Sequence, residues 1–496
     1  MKVLVYNPLV AVWRPRLPTV LSVTQELIDD GHDVVLIGCD RSVKACTANL
    51  DHTRAICGYC VTRRRQGYGL LKGPFREQTL HDYVDSALIE RLLESRDDVP
   101  DLATLRELRY GPADVGYAAY SSYAYVARDP SPDFSKRRIA RVIQNLINTG
   151  KLVYEAMRSA IERERPDRVI LHHGRSAIDR AALRACQEAG IDCTIYETAL
   201  SNDRLLIFKN ALPHDIQNFA RTVQETWDDG DDDKMEVGKA FFEMRRSGTS
   251  SVSAAGREMT TQDRSFIRRQ SGGKLPDDWD DSRKIVVMYG TSNDEFIAIS
   301  AEYEERIYAD QAEALDQVSR GLDGESAHVY FRVHPRQYGV QDGLTEALDA
   351  VAAERDNVTV IPADSEISSY ALLEGADIVL SFRSTMSMEA AYWGKPSVIL
   401  SASIYKPLGA TYNPSTHDEV MELVRNVPPP KDNLPAIRFG YYQMTSGRPQ
   451  KHYGGDAGLG KRGYTFDGDP VLVGGIPRIR YLISRERQRF KWRNAV

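Results

Sequence analysis

Apolar runs and helically spaced apolar residues alternate along much of the chain. Lys2 to Tyr6 is a compact, mostly apolar run that predicts a buried strand. Val20, Leu21, Val23, Leu27 and Ile28 then recur at helical spacing, with Pro18 near the start and Gly31 just past the end, which predicts a helix over 18–30. A second strand is predicted over 33–38, so the chain opens with a strand–helix–strand unit and hence a parallel sheet. Residues 67–125 read as interrupted helix. Ile139, Val142, Ile143, Leu146, Ile147, Leu152 and Val153 predict a long helix over 137–165 that stops before Pro166. A strand over 167–171, a helix over 177–189 and a strand over 192–196 complete a first α/β domain, placed at 1–215.

Residues 216–282 are polar and include the acid run Asp228-Asp229-Gly230-Asp231-Asp232-Asp233, which reads as a solvated loop inside a helical connector. From Arg283 the alternation restarts. Strands are predicted over 284–289, 327–333, 358–361, 377–381 and 397–400, with helices over 305–320, 344–353, 368–375 and 385–393 between them. This is a second doubly wound α/β domain, at 283–430, followed by a tail over 431–496. Two such domains joined by a connector predict two sheet edges facing each other across a cleft, each suited to one ligand, because open parallel sheets bind ligands at the carboxyl ends of their strands.

Composition narrows the function without defining it. The 496 residues are 42% hydrophobic and 27% charged, as in ordinary globular proteins, and the net charge of −6 excludes a generally basic nucleic-acid coat. No apolar run reaches the roughly 18 residues of a membrane span. The stretch from Met1 to Val12 is broken by Asn7-Pro8 and does not read as a signal peptide, so a cytoplasmic protein is expected.

Three segments of the second domain carry candidate chemistry. In Ser384-Thr385-Met386, a predicted strand meets a helix through a hydroxyl-rich turn, where Ser384 is placed to cap and free backbone N–H groups suit a phosphate. Glu389, one turn further on, is placed to accept hydrogen bonds from ribose hydroxyls. In Arg332-Val333-His334-Pro335-Arg336, the imidazole of His334 ends a strand, where it is suited to bind phosphate or protonate a leaving group, with Arg332 and Arg336 adding positive charge. In Tyr289-Gly290-Thr291-Ser292, two hydroxyls follow the domain's first strand. Neither of the two α/β domains carries a P-loop or a G-x-G-x-x-G dinucleotide fingerprint.

On these residues the chain resembles GT-B glycosyltransferases of the bacterial capsule and surface-polysaccharide type. Gly31-His32-Asp33-Val34-Val35 is similar to the second-strand region of their amino-terminal domains. His172-His173-Gly174-Arg175-Ser176-Ala177-Ile178-Asp179, followed by Tyr196-Glu197 and Asp203, resembles their acceptor side. His334-Pro335 resembles their donor-side motif, and Ser384 to Val398 is the closest match. The resemblance implies transfer of a sugar from a nucleotide-sugar donor to a surface-polysaccharide or lipid-linked glycan acceptor. The donor would be held by Thr291, Ser292, Arg332, His334, Ser384, Thr385 and Glu389, with Glu197 and Asp179 as alternative bases and no divalent metal required. The paired glutamates of many retaining members are missing, since Ser381 stands eight residues before Glu389. The His-Pro pattern resembles users of CMP-linked acidic sugars. A sugar-nucleotide epimerase of the same two-domain build, and a non-catalytic nucleotide-sugar-binding protein, stand as alternatives.

Two features lie outside that pattern. Cys39, Cys46, Cys57 and Cys60 follow one another within 22 residues, and their spacing suits either a structural zinc ion or an iron–sulfur cluster, with Cys39 ending a strand and the others in a loop. Arg63-Arg64-Arg65 comes just after. At the other end, residues 477–496 hold seven basic residues and one acid, a local charge of +6 against −12 for the rest, interleaved with Tyr481, Leu482, Phe490 and Trp492. That pattern suits peripheral contact with the anionic inner face of a membrane.

Overall fold

The computed structural model describes residues 1–9, 16–200, 202–247, 273–292, 298–338, 340, 342–454, 464–471 and 475–493. Residues 10–12, 248–272, 455–463, 472–474 and 494–496 of the segments read above lie outside this set. The chain divides into two compact units. One comprises Met1–Pro213 and Gly447–Val496, the other His214–Ser446.

The first unit is built on strands β1 (Lys2–Tyr6), β2 (Asp33–Gly38), β3 (Arg76–Thr79), β4 (Arg168–His172), β5 (Asp192–Thr198) and β6 (Arg204–Lys209). In the sheet they run β6-β5-β4-β1-β2-β3, parallel except that β6 is antiparallel to β5. Val3, Leu4 and Val5 are fully buried in the middle, and the helix Arg16–Asp29 covers one face through Leu17, Val20 and Leu21. The expected helices over 137–165 and 177–189 form at Arg137–Glu164 and Ala177–Ala189. Two strands escape the periodicity. β3 is Arg-Glu-Gln-Thr at the sheet edge and has no apolar face, and β6, which turns back onto β5 after a short connection, is not among the strands predicted above.

The second unit begins with the helices Ile216–Asp228 and Lys234–Ser247, so the residues expected to form a separate connector belong to it as far as they are described. Its strands are β7 (Lys284–Tyr289), β8 (Ala327–Arg332), β9 (Val358–Ile361), β10 (Ile378–Ser381) and β11 (Ser397–Ile399), all parallel, in the order β11-β10-β7-β8-β9. Alternate residues of the strands feed two cores. Val286, Met288, Val329, Phe331 and Leu380 pack with the helices Gln311–Gly321 and Leu344–Glu354 on one face. Ile285, Val287, Tyr289, Tyr330 and Val379 pack with Ser369–Gly375 and Met386–Tyr392 on the other. Burial on both faces explains why these strands read as continuous apolar runs.

The residues expected as one tail from 431 divide between the units. The helix Leu434–Thr445 packs in the second unit against Lys234–Ser247, and Gly440 and Gly238 let the two backbones touch. The chain then returns to the first unit. There β12 (Arg448–Pro449) adds antiparallel to β6, and β13 (Tyr453–Gly454), β14 (Thr465–Phe466) and β15 (Asp469–Pro470) form a small sheet. Arg448 pairs with Glu26, and His452 bridges Asp29 and Asp467 at 3.0 and 2.8 Å. A closing helix spans Gly475–Arg493.

Two glycine replacements should act with opposite signs. A Cβ at Gly440 would sit against the Gly238 carbonyl oxygen, a backbone atom that cannot rotate away, so Gly440→Ala is expected to cost about 1–3 kcal/mol. A Cβ at Gly58, inside the helix Arg54–Tyr68, would meet only Arg41 Nη2 at 3.9 Å, so Gly58→Ala is expected to stabilise by up to about 1 kcal/mol. Denaturant midpoints of the two variants would show both.

Candidate functional site

In the second unit the strand order reverses between β7 and β10, the first and fourth strands, so the crossovers that follow them depart to opposite sides and leave a crevice at their carboxyl ends. Tyr289, Arg332 and Ser381 stand level across β7, β8 and β10. The three segments singled out above therefore leave one edge together: Gly290-Thr291-Ser292, His334-Pro335 and Ser384-Thr385.

Each residue has a defined place there. Gly290 packs so closely on Gln311, Phe331 and the Arg332 carbonyl that a side chain would crowd all three. Gln311 then clamps the next residue, accepting from the Thr291 N–H at 2.9 Å and donating to its carbonyl at 3.0 Å. Thr291 and Ser292 are both buried at this turn. His334 is half-buried, and its Nδ1 accepts from the Arg336 N–H at 3.3 Å, an arrangement that leaves the ring proton on Nε2. Ser384 is half-buried, with its Oγ accepting from the Met386 N–H at 3.3 Å. Thr385 begins the helix Met386–Tyr392, which is only two turns long.

Two residues expected to meet the donor are committed elsewhere. Arg332 is buried and donates to the carbonyls of Pro362 and Ser365, so it braces the segment after β9. Glu389 is 0% exposed and both its oxygens are engaged, one accepting from Arg245 Nε at 2.9 Å and the other from the Tyr370 hydroxyl. A carboxylate with no access to water needs such partners, and they leave none of it for ribose. The attraction of Glu389 holds the Arg245 guanidinium well above its ordinary pKa, and Arg245 Nη2 also reaches Thr385 Oγ1 at 3.4 Å. A fixed cation thus stands beside the hydroxyl turn.

The first unit has its own reversal, between β1 and β4. At the end of β4, His173 and Gly174 both adopt left-handed backbone conformations (φ 62° and 73°), which turns the chain sharply at the edge. Glu197 on β5 lies against both imidazoles, 3.7 Å from His172 Nε2 and 3.6 Å from His173 Nδ1, with its side chain 25% exposed. Burial, Arg16 and His173 together push the pKa of His172 well below the usual imidazole value. The two expected bases separate on this geometry. Asp179 is 2% exposed, ion-paired with Arg16 at 3.4 Å and accepting from Ser176 Oγ at 2.7 Å, so it organises the turn and does not face a substrate.

The four clustered cysteines do gather at the end of β2, but Cys57 and Cys60 lie on the helix Arg54–Tyr68, not in a loop. Burial pushes the Cys39 thiol up to about 12 and raises Cys46 and Cys57, and repulsion among the four as thiolates adds to this. The Asn49 amide donates to Cys57 Sγ at 3.2 Å. Among the described residues no three of His, Cys, Asp and Glu are grouped so as to hold one ion. Arg63 and Arg64 are buried, and Arg64 binds the Cys39 carbonyl and Glu77.

Arg245, Tyr370, Gln311 and Arg16 were not legible as site residues. Each acts through a partner far away in the chain, and none belongs to a local motif. The His172-His173-Gly174 turn did carry a signal, two imidazoles and a glycine directly after a predicted strand.

No family model matches the chain, and no curated protein matches it. Among solved structures it is similar to the β-Kdo 2,4-transferase of KpsC from Thermosulfurimonas dismutans, at 14% identity over 55% of this chain and 78% of that one, with a TM-score of 0.32. It is also similar to a UDP-GlcNAc 2-epimerase from Neisseria meningitidis bound to UDP-GlcNAc, at 12% identity over 90% and 99% of the two chains and a TM-score of 0.26. A third is the glycosyltransferase VinC in complex with dTDP, at 13% identity over 90% and 94% and a TM-score of 0.21.

Removing one partner of the buried pair should be costly and removing its charge should rescue. Arg245→Met is expected to destabilise the second unit by about 3 kcal/mol or more, and adding Glu389→Gln should recover most of that, because the neutral amide no longer needs a cation. Urea unfolding of the single and double variants measures the difference. His172 sets a pH dependence in the first unit. Its folded pKa lies below the unfolded value of roughly 6.5, so the unfolded chain takes up the proton first. That contribution is complete above about pH 7 and declines as pH falls through about 6, and His172→Gln should flatten the slope.

Proposed function

We propose that the protein is a GT-B-type glycosyltransferase that moves a sugar from a nucleotide-sugar donor held by its second unit. The strand-order reversal at β7 and β10 carries this reading, because it brings the turns at Thr291-Ser292 and Ser384-Thr385 to adjacent strand ends with His334 on the next strand. The donor's phosphate lies against the Ser384-Thr385 turn, with the Arg245 guanidinium beside it. His334 donates from Nε2 to the leaving phosphate, and Arg336, exposed on the same turn, adds charge. Fixed donors aimed at developing charge are worth far more than the same groups in water. Arg336 and Arg245 supply positive charge without a divalent cation, so EDTA should leave turnover unchanged. The acceptor hydroxyl is deprotonated by Glu197, which is accessible where Asp179 is not, with His173 beside it. Acceptors of the surface-polysaccharide or lipid-linked glycan class and a CMP-linked acidic sugar are part of the same proposal, resting on the resemblance of the His334-Pro335 and Ser384 segments.

A second reading, an epimerase acting on the nucleotide sugar alone, uses the same nucleotide site. Incubation with sugar nucleotide and no acceptor separates the two, since an isomerised product belongs to the epimerase and slow release of nucleotide to the transferase.

A thermal-shift comparison of CMP, UDP, GDP and dTDP should single out one nucleotide by a raised melting temperature. With the corresponding sugar nucleotide, Ser384→Ala and His334→Ala should each lower turnover on the order of 100-fold with only a small fall in the melting temperature of the free protein, since each side chain also accepts one backbone N–H. Near-normal rates in both variants would show that the donor lies elsewhere.

A further inference from the structure

The closing helix Gly475–Arg493 is anchored on the first unit by one face only. Tyr481 stacks on Tyr59 with ring centroids 4.2 Å apart, and Trp492 packs edge-on against Tyr123 and beneath the Arg138 guanidinium, 4.1 Å from its ring centroid. Arg138 also donates to the Lys491 carbonyl at 3.1 Å. With Gln488 these residues fall on one side at about 100° per residue, and all three are buried.

The opposite side is apolar and exposed. Ile479, Leu482, Ile483 and Phe490 fall within an arc of about 100°, and they are 57%, 41%, 50% and 69% exposed. A free surface ordinarily scatters such residues singly, whereas here they form one stripe on a helix whose other face is already docked. Cations line both shoulders: Arg480, Arg487 and Lys491 on one side, Arg478 and Arg485 on the other. One acid, Glu486, lies within the stripe.

We propose that this outer face docks on an anionic lipid surface, with Ile479, Ile483 and Phe490 entering the interface and the flanking cations meeting lipid phosphates. An apolar stripe between two cationic rows matches the depth profile of a bilayer surface, apolar below and anionic at the headgroups. The charge argues for lipid over a second copy of the chain, because two such helices packed face to face would bring their cations together. No helix among the described residues is long and apolar enough to cross a membrane, so the contact is peripheral. The docking does not depend on the proposed transferase reaction.

Sedimentation of the full chain with vesicles tests it. Vesicles of equal parts phosphatidylglycerol and phosphatidylcholine should carry the protein down at low salt, vesicles of phosphatidylcholine alone should not, and molar salt should release it. Phe490→Ser combined with Ile483→Ser should abolish binding with the melting temperature little changed, since both side chains are largely exposed. Each cation removed among Arg480, Arg487 and Lys491 should weaken binding about fivefold at low salt. Glu486→Gln should strengthen it. Equal recovery on both vesicle types, or anionic binding unaffected by the Phe490 and Ile483 replacements, would overturn the proposal. So would a concentration-dependent dimer, seen by light scattering, that the same replacements abolish while vesicle binding stays absent. Nucleotide binding in the unchanged protein reads the transferase assignment separately.

Discussion

A parallel strand cannot be followed directly by its neighbour, and each connection must cross a face of the sheet before the next strand begins. In the second unit this requirement places helices on both faces, buries every strand, and forces the crossovers apart where the order reverses between β7 and β10. The edge that results is where backbone ends and turns begin, so short segments with no helix or strand of their own converge there from distant parts of the chain. Thr291, His334 and Ser384 are brought together by nothing more local than that.

Buried charge then decides which of the converging residues face outward. Glu389 and Arg332 are the two groups on this edge that a reading of isolated motifs most readily gives to a ligand. Both are enclosed, and an enclosed ion must be matched within the protein. Arg332 is matched by carbonyls and Glu389 by Arg245 and Tyr370. The match has a constructive side, because Glu389 fixes Arg245 against Thr385 and so supplies the turn with a cation. The same logic divides Glu197 from Asp179 in the first unit, where Arg16 neutralises one carboxylate and solvent reaches the other.

The return of the chain after Ser446 gives the first unit an extra edge strand, a small sheet and the closing helix. Stacking of Tyr481 on Tyr59 and seating of Trp492 under Arg138 orient that helix, and orientation is what turns a basic, aromatic stretch into one docked face and one exposed apolar face. Composition alone cannot make that distinction, since the same residues on a freely solvated tail would have no sides.

Much of the architecture was legible because periodicity is a local property. Alternation of apolar runs and helical spacing determined two α/β repeats, and strands such as Val3 to Tyr6 and Val286 to Tyr289 lie where the apolar runs placed them. The positions of the hydroxyl and histidine turns at strand ends were determined in the same way. Polar edge strand β3 was not, because Arg-Glu-Gln-Thr joins the sheet by backbone hydrogen bonds alone and carries no apolar signal. Strand order, the partner of each buried charge, the helical placement of Cys57 and Cys60, and the side of the last helix that stays exposed were decided only in three dimensions. Each depends on which residues meet across tens or hundreds of positions, and a side chain's local neighbours hold no record of the ion, ring or strand it will meet.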